Sequence, residues 1–349
     1  MLELDGSIGE GGGQVLRTAL TLSMITAQPF RITNIRARRA KPGLMRQHLV
    51  AVQAAAQVCD AMVPDADVGS QALTFVPGQI RPGDYQFAIG TAGSCTLVLQ
   101  TILPALLFGD AVSTIRITGG THNPMAPPVE FLQRAYCPLL RAMGATIDIE
   151  MLRAGFYPAG GGVLLASVAP CSRLLPIELL SRGKLLAAYA ESIIGGIPPG
   201  VARRELECIG AGMGWGAVQL LERRLPAGQG PGNALLVTFE HEHVTEVFTA
   251  FGEKKIRAEA VAQSVLQEAQ RYIASNAAVG EHLADQLMLP MALAGAGRYS
   301  IERVSQHART NAETIARFLP VRFRFEAGDN CSNCVIETAQ RNQSGCSTA

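Results

Sequence analysis

Gly9-Glu10-Gly11-Gly12-Gly13-Gln14 is the stretch from which the fold of this chain is read. Ahead of it, residues 1–7 alternate like a short strand, and behind it residues 15–24 carry apolar side chains at helical spacing. Four glycines in five positions cost backbone entropy, so such a loop implies a backbone that turns with positive φ or lets a ligand approach closely. Strand, glycine loop and helix is an arrangement in which amide N–H groups and a helix N-terminus hold phosphate. The loop is neither a Walker motif, since no Gly-Lys-Ser/Thr follows, nor GxGxxG. Glu10 is its odd member. A carboxylate there repels phosphate unless a cation lies between them, which points to Mg²⁺ held between Glu10 and nucleotide phosphates. Taken alone, the loop also admits a tight turn with a solvated glutamate.

The totals fit a soluble α/β enzyme. With 349 residues, the chain buries a sizeable core in more than one domain or in several repeated modules. Aromatics make up 5% of it, which argues against a stacking platform for single strands, and a net charge of +1 confines any nucleic-acid contact to local patches. The eight cysteines are scattered, a cytosolic pattern rather than a secreted disulfide framework. Cys331 and Cys334 form a single CxxC without a second pair or a nearby histidine and read as unrelated thiols. No signal peptide is visible at the start, and the apolar run 97–108 is too short to span a bilayer.

A strand at 30–35 leads into Arg36, Arg38, Arg39, Lys41 and Arg46, five cations in eleven residues, with Pro42-Gly43 reading as the start of the next helix. Cations at a strand-to-helix junction suit a polyanion, and arginine grips phosphate with a planar fork. A solvated charged face is the alternative. Strands at 73–76 and 86–89 run into a small-residue loop, 90–96, and then a helix containing Gln100. A stiff loop, 119–128, holds three prolines and is followed by a helix over 129–143, a strand over 145–152 and a third glycine cluster at 160–162. The recurrence at intervals of roughly 80 residues is compatible with a duplicated α+β module, though residue identity between copies is weak.

Residues 181–277 lack a glycine–helix junction and read as a small inserted domain, with a strand over 184–194, a helix over 200–212 and an amphipathic helix over 256–274. His241 and His243 share a strand face by period-two spacing and, lacking a third ligand, read as surface residues. The earlier pattern then returns. Asp285 and Gln286 enter a helix-like run, and His307 follows a strand over 299–304, beside Arg309 and Asn311, ahead of a helix over 312–318. A histidine there, mostly neutral at pH 7, suits a nucleophile, base or ligand, though for the residue taken alone an exposed loop histidine is the better reading. The domain division is therefore 1–180 with 278–338, an insert at 181–277, and a polar stretch at 339–349 that reads as a disordered tail.

Taken together, GEGGGQ (9–14), RARRAKPGLMRQH (36–48), GTAGSCTLVLQTILP (90–104), GGTHNPMAPP (119–128), GFYPAGGG (155–162), HLADQL (282–287) and SQHARTN (305–311) closely resemble the RNA 3′-terminal phosphate cyclase family. The resemblance implies an α+β fold of three repeated modules, each with two helices on a four-stranded sheet, and a smaller inserted α/β domain. It implies ATP-dependent conversion of an RNA 3′-terminal phosphate to a 2′,3′-cyclic phosphate through a covalent adenylyl-histidine and an RNA(3′)pp(5′)A intermediate. By motif position His307 is the nucleophile and Glu10 the ligand of Mg²⁺ or Mn²⁺. Gln100, His282, Leu283, Ala284, Asp285 and Gln286 contact the nucleotide, and Pro127 stacks on adenine. Arg17, Arg36, Arg39 and Arg46 hold phosphates of ATP or RNA, with Gln14, Gln47 and His48 as further candidates for the same pocket. Some members of the family carry tyrosine where this chain has His282, and a histidine ring stacks with less area.

The partners implied are ATP and an RNA with a 3′-phosphate end, in the cytoplasm, with no membrane and with room for a homodimer. A non-catalytic scaffold of ribosome assembly would lack the nucleophilic histidine. An enzyme of the enolpyruvyl transferase type would need no covalent histidine at all. ATP-dependent labelling separates these readings.

Overall fold

The computed structural model describes residues 1–9, 12–64 and 66–339. Four sheets organise the chain, each with helices against it. The first has the order β1 (Leu2–Asp5), β2 (Phe30–Thr33), β3 (Leu73–Phe75). β1 and β2 run parallel, so the chain must cross over between them, and α1 (Gln14–Thr26) is that crossover. α2 (Arg46–Cys59) joins β2 to the antiparallel β3. An isolated antiparallel bridge between Met62 and Val76 lies beside this sheet.

The second sheet has the order β4 (Asp84–Ala88), β5 (Ser113–Gly119), β7 (Gly162–Ala169), β6 (Thr146–Arg153). β4 and β5 are parallel across α3 (Cys95–Leu106). β7 alternates buried and half-buried residues along its whole length, the period-two signature of a strand with one face on the core. The third sheet repeats this connectivity with β8 (Glu178–Leu179), β13 (Gly297–Ile301), β15 (Ser332–Thr338) and β14 (Val321–Ala327) in spatial order. Its helices are α8 (Glu281–Leu293) and α9 (Gln306–Phe318).

Between β8 and α8 the chain builds the fourth sheet, ordered β10 (Leu220–Arg224), β9 (Leu185–Gly195), β11 (Gly232–His241), β12 (Thr245–Phe251). α6 (Gly200–Met213) and α7 (Ala258–Ala274) pack on it. Val261, Val265, Leu266, Ala269 and Tyr272 of α7 recur at three- and four-residue spacing and join Leu235, Val237 and Phe239 in a core separate from the main one.

α1 is buried almost all round, through Leu16, Ala19, Leu20, Leu22 and Met24, because it packs against α2, α3 and α9 together. Helices from three sheets therefore meet, with the N-terminus of α1 beside the first turn of α2, α2 beside the start of α3, and Thr310 of α9 against Gly9. That convergence positions the site.

Several boundaries differ from the sequence reading. α2 starts at Arg46, not at Pro42-Gly43, because Leu44 is drawn into extended pairing: its N–H donates to Ser70 O, and its carbonyl accepts from Gly69 N–H. The 129–143 helix is interrupted, running as α4 (Val129–Phe131), a π turn (Leu132–Tyr136) and α5 (Cys137–Ala142). Pro138 has no N–H to give to an acceptor four residues back, and Cys137 N–H reaches Leu132 O instead. α9 begins at Gln306 rather than Ala312, since the Ser305 hydroxyl accepts from Ala308 N–H at 3.0 Å and caps the helix. His307 thus stands on a helix and not in a loop. His241 is not a surface residue: it is half-buried against the rings of Phe239 and Tyr272, while His243 is exposed. The described cysteines are free, Cys331 and Cys334 included. Among the described residues no helix is long and apolar enough to cross a membrane. Residues 340–349 of the expected tail lie outside those described.

Candidate functional site

Gly9 and Gly13 of the glycine loop lie so close to their neighbours that a side chain has no room there. Gly9 has φ +63°, and a Cβ there would sit 1.8 Å from the Thr310 hydroxyl of α9. A Cβ on Gly13 would lie 2.4 Å from His48 Nε2 and 2.9 Å from an Arg17 terminal nitrogen. No other residue type fits either position without moving those groups. Arg38 ties the loop from outside, donating to Gly9 O at 2.6 Å. Glu10, the expected metal ligand, lies outside the described residues.

One turn before Thr310 on α9 stands His307, its side chain 36% exposed, with Nδ1 3.4 Å from Asp285 Oδ2 on α8. The Asp285 carboxylate also accepts from Gln14 Nε2 at 2.8 and 2.7 Å and from Asn311 Nδ2 at 3.1 Å. Asn311 Nδ2 also donates to the Asp285 carbonyl, and Thr18 Oγ1 donates to Asn311 Oδ1 at 3.0 Å. α1, α8 and α9 are thereby stitched together at the glycine loop. Sequence reasoning missed Thr18 and passed over Asn311, yet the signal was present: Gln14 and Thr18 are four residues apart on α1, as are His307 and Asn311 on α9, so each pair shares a helix face.

Burial sets the charge state of two neighbours. It pushes the Arg17 guanidinium down to about 10, opposed by the Asp285 carboxylate, so Arg17 remains a cation at neutral pH. Burial first, and then the charges of Arg17 and Arg36, drive His48 down to about 3. His48 is therefore neutral at pH 7, with Nδ1 accepting from Met45 N–H at 3.3 Å. Arg36 spends part of its fork on the Lys41 and Gly43 carbonyls, at 2.7 and 2.8 Å. Arg39 lies against Gly12. Arg46 is exposed and faces Gly90.

A second group gathers at the start of α3. Gln47 Oε1 accepts from Ser94 N–H at 3.0 Å, and Thr96 Oγ1 donates to Pro127 O at 2.7 Å, fixing Pro127 above the first turn. Gln100 Nε2 donates to Gln286 Oε1 at 2.5 Å, which joins α3 to α8. His282 is exposed. Leu283 and Ala284 are not brought to this surface, since their side chains are buried in the main core.

The arrangement is an imidazole beside a carboxylate, on a helix whose Thr310 touches Gly9, with the Arg17 cation acting on the same carboxylate. It can present a ring nitrogen to an electrophilic phosphorus while cations face its oxygens.

A family model described as RNA 3′-terminal phosphate cyclase matches residues 8–325. A protein of Ralstonia nicotianae (strain ATCC BAA-1114 / GMI1000) named RNA 3′-terminal phosphate cyclase is 58% identical over 332 residues, which is 95% of this chain and 95% of that protein. Among solved structures, the enolpyruvyl transferase NikO from Streptomyces tendae aligns with 49% of this chain and 33% of its own at 14% identity, with a TM-score of 0.27, too slight a likeness to carry any argument. With a match across nearly the whole sequence, the chain belongs to the RNA 3′-terminal phosphate cyclase family of enzymes.

Proposed function

We propose that this enzyme uses ATP to convert an RNA 3′-terminal phosphate into a 2′,3′-cyclic phosphate, with His307 as the covalent nucleophile. The observation that carries the reading is the meeting of His307 and Asp285 one helical turn from the point where Thr310 touches the glycine loop. An imidazole nitrogen of His307 attacks the α-phosphorus of ATP, forming an N–P bond as the bond to pyrophosphate breaks. An RNA 3′-phosphate oxygen then attacks that phosphorus, releasing His307 and forming RNA(3′)pp(5′)A. The adjacent 2′-hydroxyl attacks the RNA phosphorus, loses its proton, and expels AMP. A phosphate monoester dianion is a poor electrophile, and adenylylation supplies the leaving group it lacks, while the neighbouring hydroxyl gains from proximity.

Arg17, Arg39 and Arg46 face the phosphates in this reading, and Gln100, Gln286, His282 and Pro127 form the nucleoside side. Mg²⁺ or Mn²⁺ would neutralise phosphate charge beside Glu10. Glu10 with phosphate oxygens is the donor set we assign, since a carboxylate beside phosphate calls for a cation between them. The proposal includes the three-module architecture with an insert at 181–277, supported by the shared connectivity of the second and third sheets and by the separate core. It also includes cytosolic residence and a homodimer, the latter checked by light scattering.

The test is incubation with α-³²P-labelled ATP and Mg²⁺. The expected product is an acid-labile, alkali-stable labelled protein, absent in His307→Ala, with label chased by RNA carrying a 3′-phosphate and not by RNA ending in 3′-OH. Persistence of the label in His307→Ala would show that another residue is the nucleophile.

A further inference from the structure

Asp285 stands between the His307 imidazole and the Arg17 guanidinium. His307 lies 3.4 Å from one oxygen, and the Arg17 guanidinium on α1 attracts the same carboxylate. What orients the carboxylate is a set of neutral amides. Gln14 Nε2 bridges both oxygens, at 2.8 and 2.7 Å, and Asn311 Nδ2 holds Oδ1 and the main-chain carbonyl, each at 3.1 Å. With Oδ1 taken twice over, Oδ2 is the oxygen turned to His307 Nδ1.

The direction of the Asn311 amide is itself determined. Thr18 Oγ1 donates to Asn311 Oδ1 from a buried position on α1, which leaves only the NH₂ group for Asp285. A flipped amide would set a carbonyl oxygen against both the carboxylate and the carbonyl of Asp285, so a single orientation satisfies every partner. Thr18 and Asn311 are nine-tenths buried, so neither meets a substrate directly.

We infer that Asn311, set by Thr18, and Gln14 are positioning residues that aim the Asp285 carboxylate at Nδ1 of His307; this rests on His307 being the nucleophile proposed above. With the Asp285 carboxylate 3.4 Å from Nδ1, the ring proton is favoured on that nitrogen, and the developing positive charge on the ring finds a fixed counter-charge.

Isosteric variants separate this role from the packing of α1, α8 and α9. Thr18→Val keeps the shape and removes the hydroxyl, Thr18→Ser keeps the hydroxyl, and Asn311→Asp keeps the shape but replaces the donor with an acceptor. The measurements are single-turnover adenylylation at saturating ATP, the dissociation constant of a non-hydrolysable ATP analogue, and thermal stability. Thr18→Val and Asn311→Asp should adenylylate about 10- to 100-fold more slowly with analogue affinity within about twofold, while Thr18→Ser stays within about threefold of the unsubstituted enzyme. Unchanged rates in Thr18→Val and Asn311→Asp overturn the inference. So does a slowing that merely follows lost stability, with Thr18→Ser and Thr18→Val alike. An unsubstituted enzyme that takes no label overturns the nucleophile assignment and this inference with it, whereas normal labelling in the variants overturns this inference alone.

Discussion

Among the described residues two histidine–carboxylate pairs occur, and they differ in what surrounds them. His122 Nε2 lies 3.0 Å from Glu130 Oε2, and its Nδ1 lies 2.9 Å from the Thr121 hydroxyl. The His122 ring stacks on Phe156 at 4.8 Å, and the two side chains of the pair are 0% and 2% exposed. His307 and Asp285 are 36% and 16% exposed, at a longer 3.4 Å. A ring held at both nitrogens and sealed on its face is a strut. The first pair in fact extends through Arg223 to Glu191 and Arg134, tying the fourth sheet to the helical stretch that begins at Val129. The same two functional groups are thus sealed into a strut in one place and left partly open to solvent in the other, and access makes the difference.

The sharpest way to break this comparison is to remove each ring in turn. His307→Ala should lower adenylylation by about three orders of magnitude or more while leaving stability within about 0.5–1 kcal/mol, since the site is half-open. His122→Ala should do the reverse: labelling persists in the folded fraction, but the buried Glu130 keeps only a backbone hydrogen bond and the half-exposed Arg223, and unfolding in urea should show a loss of about 3–5 kcal/mol. A folded His122→Ala protein that cannot be labelled would end the distinction.

A smaller effect tests the buried pair by pH. Burial pushes the Glu130 carboxyl up, but the His122 charge and hydrogen bond, and then Arg223, pull it down to about 2 from 4.5. A carboxyl lowered by folding contributes stability above its unfolded value and loses it as pH falls towards the folded one. Between about pH 4.5 and 2, Glu130→Gln should therefore lose stability with a shallower slope, by close to one proton, in urea titrations at stepped pH.

The smallest effect concerns a buried carboxylate with no histidine beside it. Glu246 accepts from Gly280 N–H at 2.6 Å, and burial raises its carboxyl to about 8. Here the sign reverses: stability is full below about 4.5 and falls as pH rises through 8. Glu246→Gln keeps the acceptor oxygen and removes the ionisation, so Tm should gain about 1–3 °C near pH 9 and change little near pH 5. Equal shifts at both pH values would show that the charge is not the cause.

Much of the layout was legible because glycine and proline act locally. The strand–loop–helix junctions at Gly9 and Gly90 declare themselves by residues that only tight backbone needs. The start of α9 was not legible in the same way, because 306–311 is polar and shows no apolar stripe, and only the Ser305 cap marks it. The π turn depends on what Pro138 fails to donate four residues back, an effect that a hydrophobic pattern does not record. Within the site, the types of residue were readable but their pairing was not. Gln14 meets Asp285 across 271 positions of sequence, and Leu283 and Ala284 sit inside a motif yet turn towards the core. Periodicity says which residues share a face and is silent on which face meets which.

One hydroxyl has a consequence for how the chain folds. Ser300 Oγ on β13 donates to Leu180 O at 3.0 Å and accepts from Ala278 N–H at 2.8 Å, so the stretch between Leu180 and Ala278 leaves and returns through a single doorway. While that stretch is unfolded, bringing β8 to β13 means closing a loop of roughly a hundred residues, about 2 kcal/mol harder than closing one of roughly ten. Once its own sheet has formed, the two ends stand side by side and the loop is effectively short. Prior formation of the fourth sheet therefore lowers the entropic cost of pairing β8 with β13.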